Sequence, residues 1–241
     1  MEINFTSSTV AWEGINEMFL QGKAPYINGG FYLYNVTLNI ENPKIDFNAP
    51  LGRYFNYSRA KWTQLLGNYL NKPLLNSLKQ EIKSKGDNKT YNIGYSFENN
   101  HAHGKNCLLS AVFSYRLDTK KPHITFFLRA SEITKRLLVD LIFFQRIGEY
   151  VYDKTPFTIS VHIAQVFQDP VVLLMYHAHK PILKYLNKNN TVSGKKMLDT
   201  YSKFMKSKPS DIKYKVHLRA FKVLRPDLYE YPDFTLKDCT L

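Results

Sequence analysis

The order of the predicted elements favours a single domain over residues 1–241 with an α+β or a layered α/β architecture. Short stretches rich in β-branched and aromatic residues lie close together in sequence, with long stretches of helical periodicity between them. The chain of 241 residues is 44% hydrophobic, which is enough to bury a sizeable core. No internal repeat or low-complexity segment is visible. A layered domain of strands and helices is therefore the predicted fold class.

The first elements are a short helix, a strand and a longer helical stretch. Residues 8–21 predict a helix that opens with a Ser or Thr cap. The sequence FYLYNVTLNI, residues 31–40, is rich in β-branched and aromatic residues and predicts a strand. Apolar side chains recur at helical spacing over residues 57–84, where Pro73 either interrupts the helix or starts a second one.

The middle of the chain predicts a β-hairpin followed by the most regular helix. The strands CLLSAVFSYRL, residues 107–117, and HITFFLR, residues 123–129, are separated by the turn sequence DTKKP. Residues 131–152 predict a helix, because their apolar side chains form one broad face. FTISVHIAQVF, residues 157–167, predicts the next strand.

The last part of the chain predicts two helices and a strand. Residues 170–187 predict a helix that begins with Pro170 at a favoured first-turn position. A further helix is predicted over residues 195–206, and IKYKVHLRAFKV predicts a late strand. Lysines and interleaved tyrosines are frequent in this part, a pattern that either binds single-stranded nucleic acid or forms a solvated face.

Charge and cysteine content indicate the setting of the protein. The formal net charge of +13 favours anionic partners or substrates, although a composition biased towards Lys and Asn explains it equally well. Cys107 and Cys239 are too few and too distant for a disulfide framework, which favours a reducing compartment. Because neither a signal-peptide pattern nor a membrane-length apolar run is visible, we expect a cytoplasmic protein without a membrane partner, in the host cytoplasm if the chain is viral.

Four residues around the hairpin are candidates for chemistry. Cys107 begins the first strand and Arg129 ends the second, while Glu132 and Asp140 follow near one face of the predicted helix. An arginine at a strand-to-helix junction can bind an anion, and a nearby cation favours the reactive thiolate of a cysteine. A carboxylate on an apolar helix is costly unless it is paired.

Each of these residues also has a structural interpretation. Cys107 fits a buried core thiol, because cysteine is among the most buried residue types. Arg129 fits an ion pair with Glu132, and Asp140 fits an ion pair with Arg136 one turn earlier.

The segment HAHGKNC suggests a metal site formed by His101, His103 and Cys107. No Cys-x-x-Cys or His-x-x-x-His pattern accompanies it to complete a zinc site, so we predict no metal. His103 is instead a candidate to line a cleft beside the cysteine.

The region from the hairpin to the following strand resembles the thymidylate synthase superfamily, whose members modify C5 of pyrimidine nucleotides, and its phage-type members in particular. NCLLSAVFSYRL is similar to the cysteine strand of the family, and FFLRASE is similar to its phosphate-binding Arg-Ser-x-Asp segment. The resemblance covers about residues 100–170. It implies the α+β fold of the family, in which a mixed sheet is flanked by long helices, and a homodimer formed through a large sheet-on-sheet interface.

The resemblance implies roles for the matching residues. Cys107 matches the nucleophile that attacks C6 of the pyrimidine, and Arg129 matches the arginine that binds the 5′-phosphate, with Ser131 beside it. Asp140 stands where thymidylate synthases carry an Asn that reads uracil, and an Asp offers an acceptor to the N4 amine of cytosine. The implied substrate is a pyrimidine nucleoside monophosphate, and the implied one-carbon donor is 5,10-methylenetetrahydrofolate.

Other implied site residues depart from the family pattern or are only candidates. Glu132 stands where the family has an Asp, and Gln165 and Phe167 stand where it has the His-x-Tyr that binds the sugar hydroxyl. Gln165 can still form a hydrogen bond there, whereas Phe167 cannot. Arg53 and Arg59 are candidates for the arginine that the partner chain contributes to the phosphate.

Three further departures favour a second interpretation. Leu108 replaces the usual His after the cysteine, Ala130 replaces the Ser of the phosphate segment, and Lys61 stands where the general-base Glu is expected. We therefore predict a C5 hydroxymethyl- or methyltransferase, with cytidylate hydroxymethylation favoured. The alternative is a protein of the same fold that has lost catalysis and acts as a basic nucleic-acid-binding or assembly protein.

Overall fold

The computed structural model describes residues 1–20, 23–27, 30–46, 70–85, 90–97, 107–133, 136–153 and 155–168. Within these ranges, seven strands and three helices are formed. In chain order they are β1 (Glu2–Ser7), α1 (Ser8–Leu20), β2 (Tyr26–Ile27), β3 (Gly30–Asn42), α2 (Lys72–Lys85), β4 (Asn92–Ser96), β5 (Leu108–Arg116), β6 (Lys121–Glu132), α3 (Arg136–Val151) and β7 (Thr158–Gln168). None of these helices is both long enough and apolar enough to cross a membrane.

All the described strands belong to one mixed sheet with the order β1-β3-β7-β6-β5-β4, and the short β2 pairs with β3 beside β1. The pairs β1–β3 and β6–β7 are parallel, and the other pairs are antiparallel. The α+β class and the mixed sheet predicted from the sequence are therefore confirmed. The extent of the domain over residues 1–241 stays a prediction.

Helices α1 and α3 pack on the same face of the sheet and bury its core. The ring of Phe126 in β6 stacks on Phe144 in α3, with ring centroids 4.0 Å apart. A Cβ atom built at Gly14 in α1 would lie 2.7 Å from the ring of Phe5 in β1, so a larger residue here would require the Phe5 ring to move. Trp12 Nε1 in α1 also donates a 2.6 Å hydrogen bond to the carbonyl of Ile133, which fixes α1 against the segment that leads into α3.

The sheet is kinked along one row of residues that crosses its central strands. The buried side of β3 changes from odd to even residue numbers around Asn35, which has a positive φ of 50°. The buried side also changes around Ala164 in β7, from odd to even, and around Arg129 in β6, from even to odd. Asn35, Ala164 and Arg129 lie opposite one another in the register of the strands. A register shift in β5 around Leu109 continues the row. Such irregularities change the direction in which side chains point, and they are frequent beside functional sites.

The prediction for the start of the long helix was wrong. Strand β6 does not end at Arg129 but continues to Glu132, because Ala130, Ser131 and Glu132 pair with the end of β7. Among the described residues, α3 begins only at Arg136. Arg129 and Glu132 therefore both lie on a strand, and Glu132 does not share a helix face with Asp140 as predicted. The parallel partner strand provides backbone hydrogen bonds that the local sequence did not reveal.

Several local predictions are confirmed. Ser7 Oγ accepts a 3.2 Å hydrogen bond from the N–H of Val10, which is the predicted hydroxyl cap of α1. Pro73 lies in the first turn of α2, so it belongs to the start of a helix, and Asn71 caps that helix through a 3.2 Å bond from the N–H of Leu74. Strands β1, β2 and β4 were not predicted.

The predicted helical residues 57–69 and the elements predicted after residue 168 lie outside the described residues. These are the helices 170–187 and 195–206 and the strand IKYKVHLRAFKV.

Candidate functional site

Cys107 and Arg129 are neighbours across the β5–β6 hairpin, as the sequence predicted. The backbone N–H of Arg129 donates a 2.8 Å hydrogen bond to the carbonyl of Cys107. Residues that oppose each other in this way have Cβ atoms about 5 Å apart, which is within reach of an arginine side chain. Cys107 is a free thiol of intermediate burial and Arg129 is exposed, so solvent reaches both residues. The hairpin therefore places a nucleophile and a cation together in the kinked row.

Ser131 and Asp140 form a second pair beside the first. Ser131 follows Arg129 by two residues and is 2% exposed, because beyond the kink this position of β6 is buried. Its Oγ donates a 2.8 Å hydrogen bond to Oδ2 of Asp140, in the second turn of α3. The bond uses the only hydrogen of the Ser131 hydroxyl. Ser131 therefore holds Asp140, and its predicted contact with a phosphate, which stays a prediction, would compete with this bond.

Burial raises the pKa of Asp140 to about 7, while the hydrogen bond from Ser131 and the charge of Arg136 act in the opposite direction. Near neutral pH the carboxyl group is therefore present in both its protonated and its ionised form. The protonated form presents a hydroxyl donor next to a carbonyl acceptor, whereas the ionised form presents acceptors only. The influence of Arg136 agrees with the structural interpretation of Asp140, but Arg136 does not cancel the effect of burial.

Glu132 and Gln165 lie on the other side of the sheet from Ser131. Side chains alternate along a strand, so Glu132 points away from the side that Ser131 occupies. Gln165 pairs with Ala130, and its neighbour Val166 pairs with Ser131. Glu132 and Gln165 therefore lie near each other, on the opposite side of the sheet from the Ser131–Asp140 pair.

An aromatic row on this outer side was not predicted from the sequence. Phe167 pairs with Glu132 and stacks on Tyr32, with ring centroids 6.4 Å apart. Tyr32 in turn stacks on Tyr34, whose side chain is 52% exposed and which pairs with Gln165. The alternating aromatic residues of FYLY were the part of the row that the sequence could have revealed. Their contact with Phe167 depends on the register between β3 and β7.

The remaining predicted site residues lie outside the described part of the chain. They are the cleft candidate His103, the second histidine His101, the position of the general base at Lys61 and the two candidates for a partner arginine, Arg53 and Arg59. Among the described residues, no group of three His, Cys, Asp and Glu side chains is arranged to hold a metal ion.

No protein-family model matches this chain. A comparison with curated proteins also finds no match. The functional assignment therefore depends on the chemistry of the site and on the resemblance of its motifs.

Proposed function

We propose that the protein has a thymidylate synthase-like fold and transfers a one-carbon unit to C5 of a pyrimidine nucleoside monophosphate, with cytidylate hydroxymethylation favoured over thymidylate formation. The observation that carries the proposal is the pairing of Cys107 with Arg129 in the kinked row of the sheet. Such a reaction requires a nucleophile at the base of the nucleotide and a cation at its phosphate, and the adjacent strands provide both.

Cys107 supplies the nucleophile in this proposal. Its thiolate adds to C6 of the pyrimidine, and the electrons of the C5–C6 double bond make C5 nucleophilic. After C5 has formed its bond to the one-carbon unit, the proton on C5 leaves, the nitrogen of tetrahydrofolate would depart from that carbon, and water would add in its place. The bond between sulfur and C6 then breaks, which restores the double bond and releases the thiolate. Arg129 holds the 5′-phosphate and keeps C6 within reach of the sulfur.

Asp140 selects the base. Cytosine presents an acceptor at N3 beside a donor at its N4 amine, and a protonated carboxyl group presents the matching donor and acceptor. Uracil presents the reverse order, with a donor at N3 and an acceptor at O4, which matches an Asn amide. A pKa of about 7 keeps the cytosine-matching form of Asp140 available near neutral pH. This complementarity is the reason for favouring cytidylate.

Two cavities of the described part, of about 670 and 380 Å³, are not lined by Cys107, Arg129 or Asp140. 5,10-Methylenetetrahydrofolate therefore enters the proposal only as the source of a one-carbon unit that the resemblance implies.

The test is the release of tritium from C5 of labelled deoxycytidylate and deoxyuridylate in the presence of methylenetetrahydrofolate. We expect release with the wild type, none with Cys107→Ala, and wild-type release with the control Cys239→Ala. Release that is faster from deoxycytidylate supports the role of Asp140. No release from either nucleotide would contradict the proposal.

A second function is favoured by the packing of Phe167. This residue stands where the family binds a sugar hydroxyl, and it stacks on Tyr32 instead of offering a polar group. Together with the net charge of +13, this supports a basic nucleic-acid-binding or assembly protein without catalysis. Salt-sensitive binding to single-stranded DNA or RNA that is unchanged in Cys107→Ala, with no tritium release, distinguishes it from the enzyme.

We also propose that the homodimer implied by the resemblance forms through the sheet face opposite α1 and α3. On this face Thr37 Oγ1 lies 2.8 Å from Nδ1 of His162, whose ring stacks on the partly exposed Phe127. A lysine at position 127 would bring a charge into the interface, so Phe127→Lys should give monomers in sedimentation velocity. The control Leu117→Lys, in the exposed hairpin turn, should remain dimeric. A wild-type monomer would contradict the proposal.

A further inference from the structure

A cavity of about 380 Å³ lies at the turn end of the β5–β6 hairpin, between the ends of α2 and α3. The residues of this tyrosine–lysine cavity that matter here are Lys83, Tyr91, Tyr115, Lys120, Tyr152 and Asp153. Tyr115 and Cys107 are eight residues apart along the same edge of the hairpin, a separation of about 25 Å at the rise of a β-strand. The cavity is therefore separate from the site described above.

Tyrosine rings form the wall of the cavity. Tyr91, just before β4, lies beside Tyr115 of β5, with ring centroids 6.5 Å apart and a tilt of 49°. Tyr91 is 8% exposed and Tyr115 is half-buried, so the ring of Tyr115 offers more of the accessible aromatic surface. Tyr152 closes the inner end, and its hydroxyl donates a 3.2 Å hydrogen bond to the carbonyl of His123. The wall is thus aromatic and held in place by the sheet.

Two lysines stand at the rim, and the local charge is positive. Lys83 Nζ lies 2.6 Å from Oδ2 of Asp153, and Lys79 contacts the other oxygen of the same carboxylate. One aspartate therefore faces two lysines, and Lys120 in the hairpin turn adds a third positive charge. The side chain of Lys83 is 52% exposed, and an ammonium group has three donors, so it can bind an anion while it keeps the ion pair.

We propose that the tyrosine–lysine cavity binds a nucleotide, with the base against the ring of Tyr115, which Tyr91 supports from behind, and the phosphate at Lys83 and Lys120. A cavity of this volume is within the usual range for small-molecule sites. Aromatic rings next to lysines are the arrangement by which proteins hold bases and phosphates without reading sequence. The ligand is either a free nucleotide or one unit of a single strand, and both present the same base and phosphate. This site does not depend on Cys107 and stands apart from the proposed transferase reaction.

The test measures binding of a fluorescein-labelled oligothymidylate by anisotropy, in an Arg129→Gln background that removes the phosphate ligand of the first site. We expect Lys83→Gln and Lys120→Gly each to weaken binding by about threefold to tenfold and to lower the salt dependence by about one ion. Lys120 has a positive φ of 52°, so glycine at this position relieves backbone strain and does not threaten the fold. Lys72→Gln, at the exposed start of α2 and away from the cavity, is the matched control.

The wall is tested with Tyr115→Leu, which should weaken binding about tenfold, against Tyr115→Phe, which keeps the ring and should bind as the wild type does. Unlabelled thymidine monophosphate then identifies the source. Competition by the mononucleotide assigns the cavity to free nucleotides, and its failure to compete assigns the cavity to a strand. Binding that responds to Lys83→Gln and Lys120→Gly no more than to Lys72→Gln would overturn the proposal, as would the absence of any binding.

Discussion

Two ionisable groups lie near opposite ends of strand β6 and respond to acid in opposite ways: His123 belongs to the strand, and Asp140 of α3 is bound to it through Ser131. Near the start, His123 is 7% exposed and its Nδ1 lies 2.7 Å from Oγ1 of Thr158. Near the end, Ser131 binds Asp140. Burial lowers the pKa of His123 to about 4 and raises the pKa of Asp140 to about 7. Both groups are shifted towards their neutral forms, because a buried position disfavours a charge of either sign.

The comparison shows which of the two groups is able to act near neutral pH. After burial, the charges of Arg116 and His162 lower the pKa of His123 further, against the opposite influence of Asp118. His123 therefore stays neutral throughout the physiological range and contributes only packing and hydrogen bonds. Asp140 changes its protonation state within that range, so it is the group whose state a substrate can use.

The largest expected effect comes from Asp140→Asn, which replaces the group that responds at neutral pH by one that cannot titrate. The asparagine amide matches uracil, so activity on deoxycytidylate should fall by about 100-fold or more, because a buried polar mismatch is strongly rejected. Activity on deoxyuridylate should rise. The measurement is tritium release from both nucleotides, with Cys107→Ala in the same background as the control without turnover. An unchanged preference would remove Asp140 from base recognition.

The next effect is on stability. The pKa of Asp140 is higher in the folded protein than its ordinary value of 3.8, so the folded state binds more protons between those two values. The stabilisation is therefore complete below about pH 4 and is lost as the pH rises through 7. Relative to Asp140→Asn, the wild type should lose about 2 kcal/mol of unfolding free energy between pH 5 and pH 8. Urea unfolding at these pH values measures it, and parallel profiles of the two proteins would contradict the raised pKa.

His123→Gln should reveal the opposite slope at the other end of the strand. The pKa of His123 is lower in the folded protein than its ordinary value of 6.5, so its contribution is present above that value and is lost as the pH falls towards 4. Between pH 7 and pH 5 the wild type should lose about 2 kcal/mol relative to His123→Gln, whose side chain can keep a hydrogen bond to Thr158. The same urea series provides the measurement, and the double variant Asp140→Asn/His123→Gln should be nearly flat.

The Cys107–Arg129 pair was predictable because a short hairpin turn fixes the register of its two strands, so sequence separation determines which residues meet. The Ser131–Asp140 bond was not predictable in the same way. It requires that β6 continue past Arg129 and that the kink turn Ser131 towards α3. Both conditions are set by pairing with β7, which begins more than twenty-five residues later in the sequence.

The types of the long elements could also be predicted from the sequence, whereas the kink in the sheet could not. The apolar periodicity of α3 predicted a helix, and the β-branched and aromatic composition of β3, β5 and β7 predicted strands. Both signals arise because each element packs against a single core. In the sequence, the kink appears only as a change, within each strand, between odd-numbered and even-numbered buried residues. Its alignment at Asn35, Ala164 and Arg129 depends on the register between strands that are distant along the chain.

The smallest predicted effect concerns how Ser131 adjusts Asp140. The hydrogen bond from Ser131 lowers the pKa of Asp140 and so opposes the effect of burial. Ser131→Ala removes that bond without adding volume, and the pKa of Asp140 should rise further above 7. The expected cost in stability is about 1 kcal/mol for one lost hydrogen bond. Carbon-13 NMR titration of the aspartate carboxyl groups measures the pKa directly.

Ser114→Ala is the control for this measurement, because it removes the hydroxyl of a half-buried serine on β5, which donates to the carbonyl of His123 at the other end of β6. It should leave the titration of Asp140 unchanged. A rise in the pKa of Asp140 in Ser131→Ala alone would show that the serine tunes the carboxyl group, and the transferase proposal then predicts that activity on deoxycytidylate persists to higher pH in this variant. An unchanged pKa would mean that burial alone sets the protonation state of Asp140.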